Sequence, residues 1–215
     1  MAGPGSKSSD DTFRTIDVPV GSSFLIQGSK FIAHLAPAES PDTAAAVLSV
    51  RQRRYPDASH HCWAYRVGRP EPLAERSSDA GEPSGTAGRP IADALRGAGL
   101  ENVVCVVTRY FGGTKLGTGG LVRAYGDAAR EAIAAARAFE RTIVREVRLT
   151  FDHERTGVVY RVLDEFGLHL EEGRYDARAH GMVQVPASRV PVLQARLAEL
   201  ALTGVEIEVG GLSVR

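Results

Sequence analysis

Apolar and polar residues follow two different periods along this chain, and each period predicts one kind of element. Runs typical of β-strands cover residues 13–20, 30–36, 60–67 and 102–108. Apolar positions at helical spacing cover residues 41–55, 90–96 and 121–139. Ser40 is a favourable N-cap for the first helix, and Pro41 suits its first position. The run NVVCVVT at 102–108 is almost wholly apolar, so we expect that strand to be buried on both faces.

The pattern becomes simpler after residue 141. Strand-like runs lie at 142–151, 168–176, 182–186 and 205–214, and helical runs lie at 154–166 and 188–200. The resulting order β-α-β-β-α-β is that of the ferredoxin-like unit. We therefore predict an α+β protein with a disordered tail at 1–12, an N-terminal domain at 13–141 and a ferredoxin-like C-terminal domain at 142–215.

Composition restricts the possible partners more than it restricts the fold. The 26 basic and 26 acidic residues give a net charge of zero, which argues against a protein that coats DNA but permits a local basic patch. The two cysteines lie in apolar runs, where inert buried cysteines occur. Two cysteines do not form a disulfide framework, so we expect a reducing cytosol. No apolar run approaches the roughly 20 residues that span a bilayer, and the start MAGPGSKSSDD lacks the apolar core of a signal peptide. We expect a cytoplasmic protein without a membrane contact.

The stretch TRYFGGTKLGTGGLVRAYGDAA at 108–129 lies between a predicted strand and a predicted helix. Its glycines and basic residues form one candidate ligand-binding set: Arg109, Gly112, Gly113, Lys115, Gly117, Gly119, Gly120 and Arg123. A helix N-terminus offers unpaired N–H groups to an anion, and glycines let a ligand approach the backbone. The stretch is not a P-loop, because Gly117 is followed by Thr118 and a further glycine, and Val122 breaks the dinucleotide pattern. The alternative is a tight turn with close packing of helix on strand.

A second glycine-containing loop, SSDAGEPSGTAGRP at 77–90, also leads into a helix. It supplies a second candidate set: Asp79, Glu82, Ser84 and Thr86. These carboxylates and hydroxyls could bind a cation or orient a substrate. Alternatively, the acids cap turns and Thr86 satisfies backbone donors.

His60 and His61 are the histidines closest to these loops in the predicted fold. Neighbouring residues of a strand point to opposite faces, so the two side chains cannot share one metal with Cys62 without distortion. No second pair of ligands has the spacing of a zinc site. We predict no metal and no cofactor, and we expect one of the two histidines to face the glycine loops.

Three motifs, HHCWAY, SSDAGEPSGTAGRPI and VVTRYFGGTKLGTGGLVRAYGDAA, resemble in order and spacing the YigZ/IMPACT family. The resemblance covers roughly residues 13–138, and the C-terminal unit resembles the extra domain of bacterial members. It implies an N-terminal fold like the second domain of ribosomal protein S-five and domain IV of elongation factor G. It implies a C-terminal domain like domain V of that factor.

The resemblance does not imply a reaction. Eukaryotic members are linked to translational control, through competition for a partner of a stress kinase. Some bacterial members carry a peptidase label, but this sequence has no nucleophile and base signature. The acidic loop commonly reads Asp-Asp-Gly-Glu-Pro in the family, and Ala80 replaces its second acid here, which weakens a metal interpretation.

Arg109 ends the predicted buried strand, where we expect side chains to become exposed. Its planar fork could bind phosphate or carboxylate oxygens of a ligand. It could equally pair with Asp79 or Glu82 and tie the two loops together. We favour the ligand contact, because Lys115 and Arg123 lie close by in sequence.

We expect both loops and one histidine to form one composite site. The first hypothesis is a binding or regulatory protein in translation that contacts RNA, the ribosome or a translation factor. The second is an enzyme on a small phosphorylated or anionic substrate that uses Asp79, Glu82 and a histidine. The third is a protein-interaction scaffold. The sequence does not choose an oligomeric state.

Overall fold

The computed structural model describes residues 11–201 and 204–215, and it is a mixed α/β structure of two compact units. One unit runs from Phe13 to Glu140. The other contains Arg141–Arg215 together with Asp11 and Thr12. Within the described part of the chain, no helix is long and apolar enough to cross a membrane.

The N-terminal unit is built on one five-stranded antiparallel sheet. After β1 (Thr12–Thr15), its elements are β2 (Val20–Ile26), β3 (Ser29–Pro37), α1 (Pro41–Arg54), β4 (His60–Val67), β5 (Ala74–Ser78), α2 (Gly88–Gly97), β6 (Val103–Tyr110) and α3 (Gly117–Ala135). The strands lie in the order β2-β3-β6-β4-β5, with every neighbouring pair antiparallel. The most apolar strand, β6, is therefore at the centre.

Side chains of β6 alternate between two apolar cores. Val103, Cys105 and Val107 belong to the core beneath α2 and α3. Val104 and Val106 belong to the smaller core beneath α1. The sheet is thus covered on both faces, as the apolar run at 102–108 predicts, because successive residues of a strand point to opposite sides.

The start of α1 also agrees with the sequence. The Ser40 hydroxyl accepts a hydrogen bond from the Thr43 backbone N–H at 3.2 Å, and the Thr43 hydroxyl accepts one from the Ser40 N–H at 3.0 Å. This reciprocal pair satisfies two backbone donors that the first turn of a helix leaves unpaired.

The two edge strands of this sheet differ from the prediction. The predicted strand at 13–20 ends at Thr15, and β2 occupies Val20–Ile26 instead. β5 lies where no strand is predicted. Both strands pair on one side only, and their residues are exposed or half-buried, so burial leaves little trace in their sequences.

The C-terminal unit has the element order β-α-β-β-α-β. Its strands and helices are β7 (Phe139–Phe151), α4 (Thr156–Glu165), β8 (Glu171–Tyr175), β9 (Ala179–Pro186), α5 (Val190–Ala201) and β10 (Val205–Val214). The strands lie in the order β10-β7-β9-β8, all antiparallel. Apolar residues of β7, β9, α4 and α5 form a core of their own.

The predicted tail at 1–12 is wrong for its last two residues, and residues 1–10 lie outside the described part of the chain. Asp11 is only 2% exposed. Its carboxylate accepts hydrogen bonds from the backbone N–H and the hydroxyl of Ser188. Asp11 thereby holds the start of the chain on the C-terminal unit, because a buried carboxylate needs hydrogen-bond donors.

A chain that ends at residue 141 should keep the N-terminal unit folded, because that unit encloses complete cores on both faces of its sheet. Amide hydrogen exchange measures this directly. We expect the central strand β6 to stay protected in the truncated chain as it is in the full chain. Loss of protection in β6 would contradict two independently folding units.

Candidate functional site

A buried ion pair connects the second glycine loop to the central strand. Arg109 Nη1 donates to Glu82 Oε1 at 2.6 Å, and the two side chains are only 5% and 4% exposed. The Tyr125 hydroxyl donates to the same carboxylate oxygen at 2.7 Å. Burial raises the pKa of Tyr125, so this phenol remains a proton donor at neutral pH. One carboxylate therefore joins the loop to β6 and to α3.

Arg109 makes its remaining contacts inside the same unit. Its Nη2 donates to the Ser29 hydroxyl at 3.3 Å, and its Cζ lies 5.5 Å from the ring centres of both Phe31 and Phe111. The expectation that Arg109 is exposed is wrong: the residue is 4% exposed, because the loops and α3 close over the end of β6. Its fork is directed at Glu82 and Ser29, whereas a role in ligand binding stays a prediction.

Asp79 closes the second loop upon itself. Its carboxylate accepts backbone N–H groups of Gly85 at 2.8 Å, Ala87 at 2.9 Å and Gly88 at 2.8 Å, the last two where α2 begins. Burial alone raises the pKa of Asp79, but the three N–H donors outweigh burial and leave the pKa below its ordinary value. Asp79 thus caps the loop and the helix, which is the turn-capping alternative for this residue.

The two hydroxyl residues of the second loop lie in different environments. Thr86 is buried, and its hydroxyl donates to the Pro83 carbonyl at 2.6 Å, which closes a local turn. Ser84 lies on the exposed side of the loop. Of the two, only Ser84 is positioned to meet a partner.

The two histidines lie on opposite faces of β4. His60 is opposite Arg109 in the sheet; its Nδ1 donates to the Ala80 carbonyl at 2.9 Å, and its Nε2 lies 3.9 Å from the Glu82 carboxylate. His61 points to the α1 face, where it meets the Thr108 hydroxyl at 3.1 Å and the Tyr55 carbonyl at 3.2 Å. Burial lowers the pKa of His61. Only His60 therefore belongs to the site.

The glycine loop is shaped by one close approach and two left-handed residues. A Cβ at Gly112 would lie 1.9 Å from the Gly28 carbonyl carbon, so the loop and the β2–β3 turn touch backbone to backbone. Gly113 and Gly117 have φ values of +88° and +70°, which side chains rarely adopt. These three glycines are explained by the tight-turn alternative.

The other two glycines lie inside α3, which begins at Gly117 and not at residue 121 as predicted. Gly119 and Gly120 form part of the first turn, where a Cβ at Gly119 would meet only the Arg123 guanidinium at 3.9 Å. No side chain caps this helix start. Its first N–H groups therefore remain available in an exposed loop.

Lys115 and Arg123 are the free cations of this surface. Both are exposed, and neither has an ion pair or hydrogen bond with another residue in the described ranges. We name the exposed segment 111–119 together with Arg123 the glycine-loop surface. It has the unpaired positive charge and open backbone donors that an anion requires.

Three further residues contact the members of the site, and the sequence does not predict their roles. Ser29 is fully buried; its hydroxyl accepts the Gly112 N–H at 3.1 Å and the Arg109 hydrogen bond described above. Cys62 donates its thiol to the Asp79 carbonyl at 2.9 Å, and burial raises its pKa to about 12, so it is an inert structural thiol. Tyr125 lies within an Ala-rich helix. Their partners are distant in sequence, and no local pattern marks them.

The arrangement defines a class: an α/β domain in which a buried polar cluster supports an exposed glycine-rich loop. The family model of the Impact N-terminal domain matches residues 27–133, from the β2–β3 turn through most of α3. The chain belongs to the IMPACT family.

Relatives extend the match over most of the chain. An IMPACT family member of Haemophilus influenzae is 34% identical over 81% of this chain and 85% of its own. The IMPACT family member YigZ of Escherichia coli is 34% identical over 82% and 87%. A member from Thermus thermophilus is 53% identical over 51% and 57%. The crystal structure of a hypothetical protein aligns with a TM-score of 0.64 and 31% identity over 92% and 96% of the two chains.

Arg109→Lys should lower the free energy of unfolding by about 1–3 kcal/mol, because lysine cannot reproduce the fork between Glu82 and Ser29. Glu82→Gln should cost about 3 kcal/mol, because it leaves a buried guanidinium without its counter-charge. Urea unfolding of both variants and the double variant measures the coupling, and the double variant should be destabilised by less than the sum.

The matched control is Arg130→Lys, which alters an exposed pair with Asp127 on α3. Its stability should change by less than about 0.5 kcal/mol. Unchanged stability of Arg109→Lys would show that the buried pair is not a structural link.

Asp79→Asn should destabilise the protein at neutral pH and progressively less in acid. The folded state depresses the pKa of Asp79, so its stabilisation is present above the ordinary value of 3.8 and disappears as the pH falls through the lower folded-state pKa. Urea unfolding of the parent and the variant at pH 7 and near pH 3 tests this. A stability difference that grows in acid would contradict the assignment.

Proposed function

We propose that the chain is a binding and regulatory protein related to translation, which contacts RNA or a ribosome-associated partner through the glycine-loop surface. The observation that carries the proposal is the combination of Lys115 and Arg123, both exposed and unpaired, with the uncapped start of α3. Phosphate is the anion that such a helix start and flexible cations accept most readily.

Several other cations of the N-terminal unit are paired with acids. Arg66, Arg69 and Arg96 pair with Glu75 or Glu101, and Arg109 pairs with Glu82. These pairs neutralise part of the positive charge of the unit, whereas Lys115 and Arg123 have no acid paired with them among the described residues. A zero net charge with a small unpaired patch favours a contact with few phosphates.

We also propose the finer fold assignments. The order β10-β7-β9-β8 with two helices supports a ferredoxin-like C-terminal unit, like domain V of elongation factor G. The packing of α2 and α3 on one face of the N-terminal sheet supports a fold like the second domain of ribosomal protein S-five and domain IV of that factor. Domains with these folds occur in proteins that bind the ribosome, and by analogy this favours RNA or a ribosome-associated partner for the chain. Two buried free cysteines support a cytoplasmic location.

The geometry favours binding over catalysis. An enzyme on a small anionic substrate would need Asp79, Glu82 and His60 to be free for chemistry. Asp79 instead accepts three backbone donors, and Glu82 accepts Arg109 and Tyr125. Reassigning either carboxylate to a substrate would break the loop that carries it.

Filter binding of the protein to a mixed-sequence RNA, titrated at several salt concentrations, tests the proposal. Lys115→Gln and Arg123→Gln should each weaken binding and reduce the slope of log affinity against log salt by roughly 0.7–0.9 for each phosphate that the variant no longer neutralises. Arg130→Gln, at an exposed arginine further along α3, is the matched control and should leave the slope unchanged.

Two outcomes would count against the proposal. If the parent protein has no RNA affinity at low salt, RNA is excluded as the ligand and a protein partner remains for this surface. Equal reductions of affinity in Arg130→Gln and Lys115→Gln would show that general charge, and not the glycine-loop surface, attracts RNA.

A further inference from the structure

Phe111 is an exposed aromatic ring at the start of the glycine loop. It is 49% exposed, whereas every other Phe, Tyr and Trp between residues 13 and 140 is buried or half-buried. Burying such a ring is worth about 1.5–3 kcal/mol. The unit buries the rings of Phe31 and Tyr125, whereas the ring of Phe111 is accessible to a partner.

The ring of Phe111 is held in place by contacts with Arg109 and Ser59. The Arg109 guanidinium lies 5.5 Å from the ring centre, and Arg109 is itself fixed by Glu82 and Ser29. The Phe111 backbone N–H donates to the Ser59 hydroxyl at 3.1 Å. A guanidinium near a ring attracts its electrons and orients it, so Phe111 is a pre-positioned platform and not a loose side chain.

We propose that Phe111 is a stacking platform for a base of single-stranded RNA, with Lys115 and Arg123 contacting the adjoining phosphates. This inference rests on the proposed function and specifies its ligand. An exposed ring on the same loop surface as unpaired cations suits the alternation of base and phosphate along one strand. In an RNA duplex the base faces are covered by their neighbours, so a stacking platform selects unpaired bases.

The charge of the surroundings distinguishes RNA from a protein segment. An apolar protein partner would leave Lys115 and Arg123 without counter-charges at its border. A run of acidic residues alone would supply charge but no flat π surface to match the ring. Single-stranded RNA supplies both at once, which is why it is the ligand that this surface fits best.

The test is fluorescence anisotropy with three labelled probes: a 12-nucleotide oligouridylate, a 12-nucleotide oligoadenylate and a 12-base-pair RNA duplex. Phe111→Leu keeps the apolar bulk and removes the π face, and Phe111→Trp enlarges that face. We expect Phe111→Leu to bind both single strands roughly 5-fold to 100-fold more weakly, and Phe111→Trp to bind at least as tightly as the parent. The salt slope should be unchanged in both variants, because no charge is altered.

Tyr175→Leu is the matched control, since Tyr175 is a 55% exposed aromatic residue of the C-terminal unit. Its single-strand affinity should equal that of the parent. Urea unfolding confirms that each variant is folded, and quenching of the introduced tryptophan in Phe111→Trp by oligoadenylate reports stacking directly.

The outcomes separate this inference from the proposed function. If the parent binds no RNA, this inference fails, and of the proposed function only a protein partner for the glycine-loop surface remains. If RNA binds equally to parent and Phe111→Leu, or if duplex and single strand bind alike, stacking on Phe111 is wrong while the proposed function stands. Competition by a 12-residue oligoglutamate that depends on Phe111 would overturn it in favour of an acidic protein partner.

Discussion

The ion pair between Glu82 and Arg109 is the interaction on which the N-terminal unit depends at its functional end. Both side chains are withdrawn from water, and a charge in that position is tolerated only when its partner and further donors are present. Tyr125 and Ser29 supply further hydrogen bonds, so four segments of the chain meet at one ion pair. Removing a member would leave a charge or a polar group buried and unsatisfied, which is why the cluster acts as a unit.

This cluster explains how an exposed glycine loop can be held in one conformation. Glycines increase the conformational freedom of a loop unless its ends are fixed. Here one end follows Arg109 directly, and the other becomes α3, which carries Tyr125 into the same cluster. The backbone contact between Gly28 and Gly112 fixes the loop from the side. The loop is therefore anchored at both ends, while the segment between them, including Lys115, is exposed to solvent.

A structural feature can be predicted from the sequence when the residues that cause it lie within one element. The burial of β6 and the cap at Ser40 follow from residues within one element, and both are found as predicted. The edge strands β2 and β5 are missed because they pair on one side only and are little buried, so the neighbouring strand and not their own pattern defines them. Motif spacing identifies both glycine loops, since glycine and proline mark turns without any knowledge of the fold.

The partners within the site are not predictable in this way. Glu82 and Arg109 are 27 residues apart, and Ser29 is 80 residues from Arg109, so only the register of β3 and β4 against β6 brings them together. That register also decides which histidine faces the cluster. His60 lies opposite Arg109, whereas His61 points to the α1 face, and a sequence in which the two are adjacent cannot distinguish them before the strands are paired.

The same register divides the charged residues of the two loops by role. The carboxylates predicted to meet a ligand, Asp79 and Glu82, are turned inward to hold the loops, together with Arg109. The outward side of the glycine loop carries the unpaired cations Lys115 and Arg123 and the ring of Phe111. The charge of Glu82 is balanced by Arg109 and that of Asp79 by three backbone donors, so the internal bonds of the loops explain why positive charge predominates on this part of the outer surface. A structural role of the acids is therefore compatible with the anion contact that we propose, because the two roles fall on different residues.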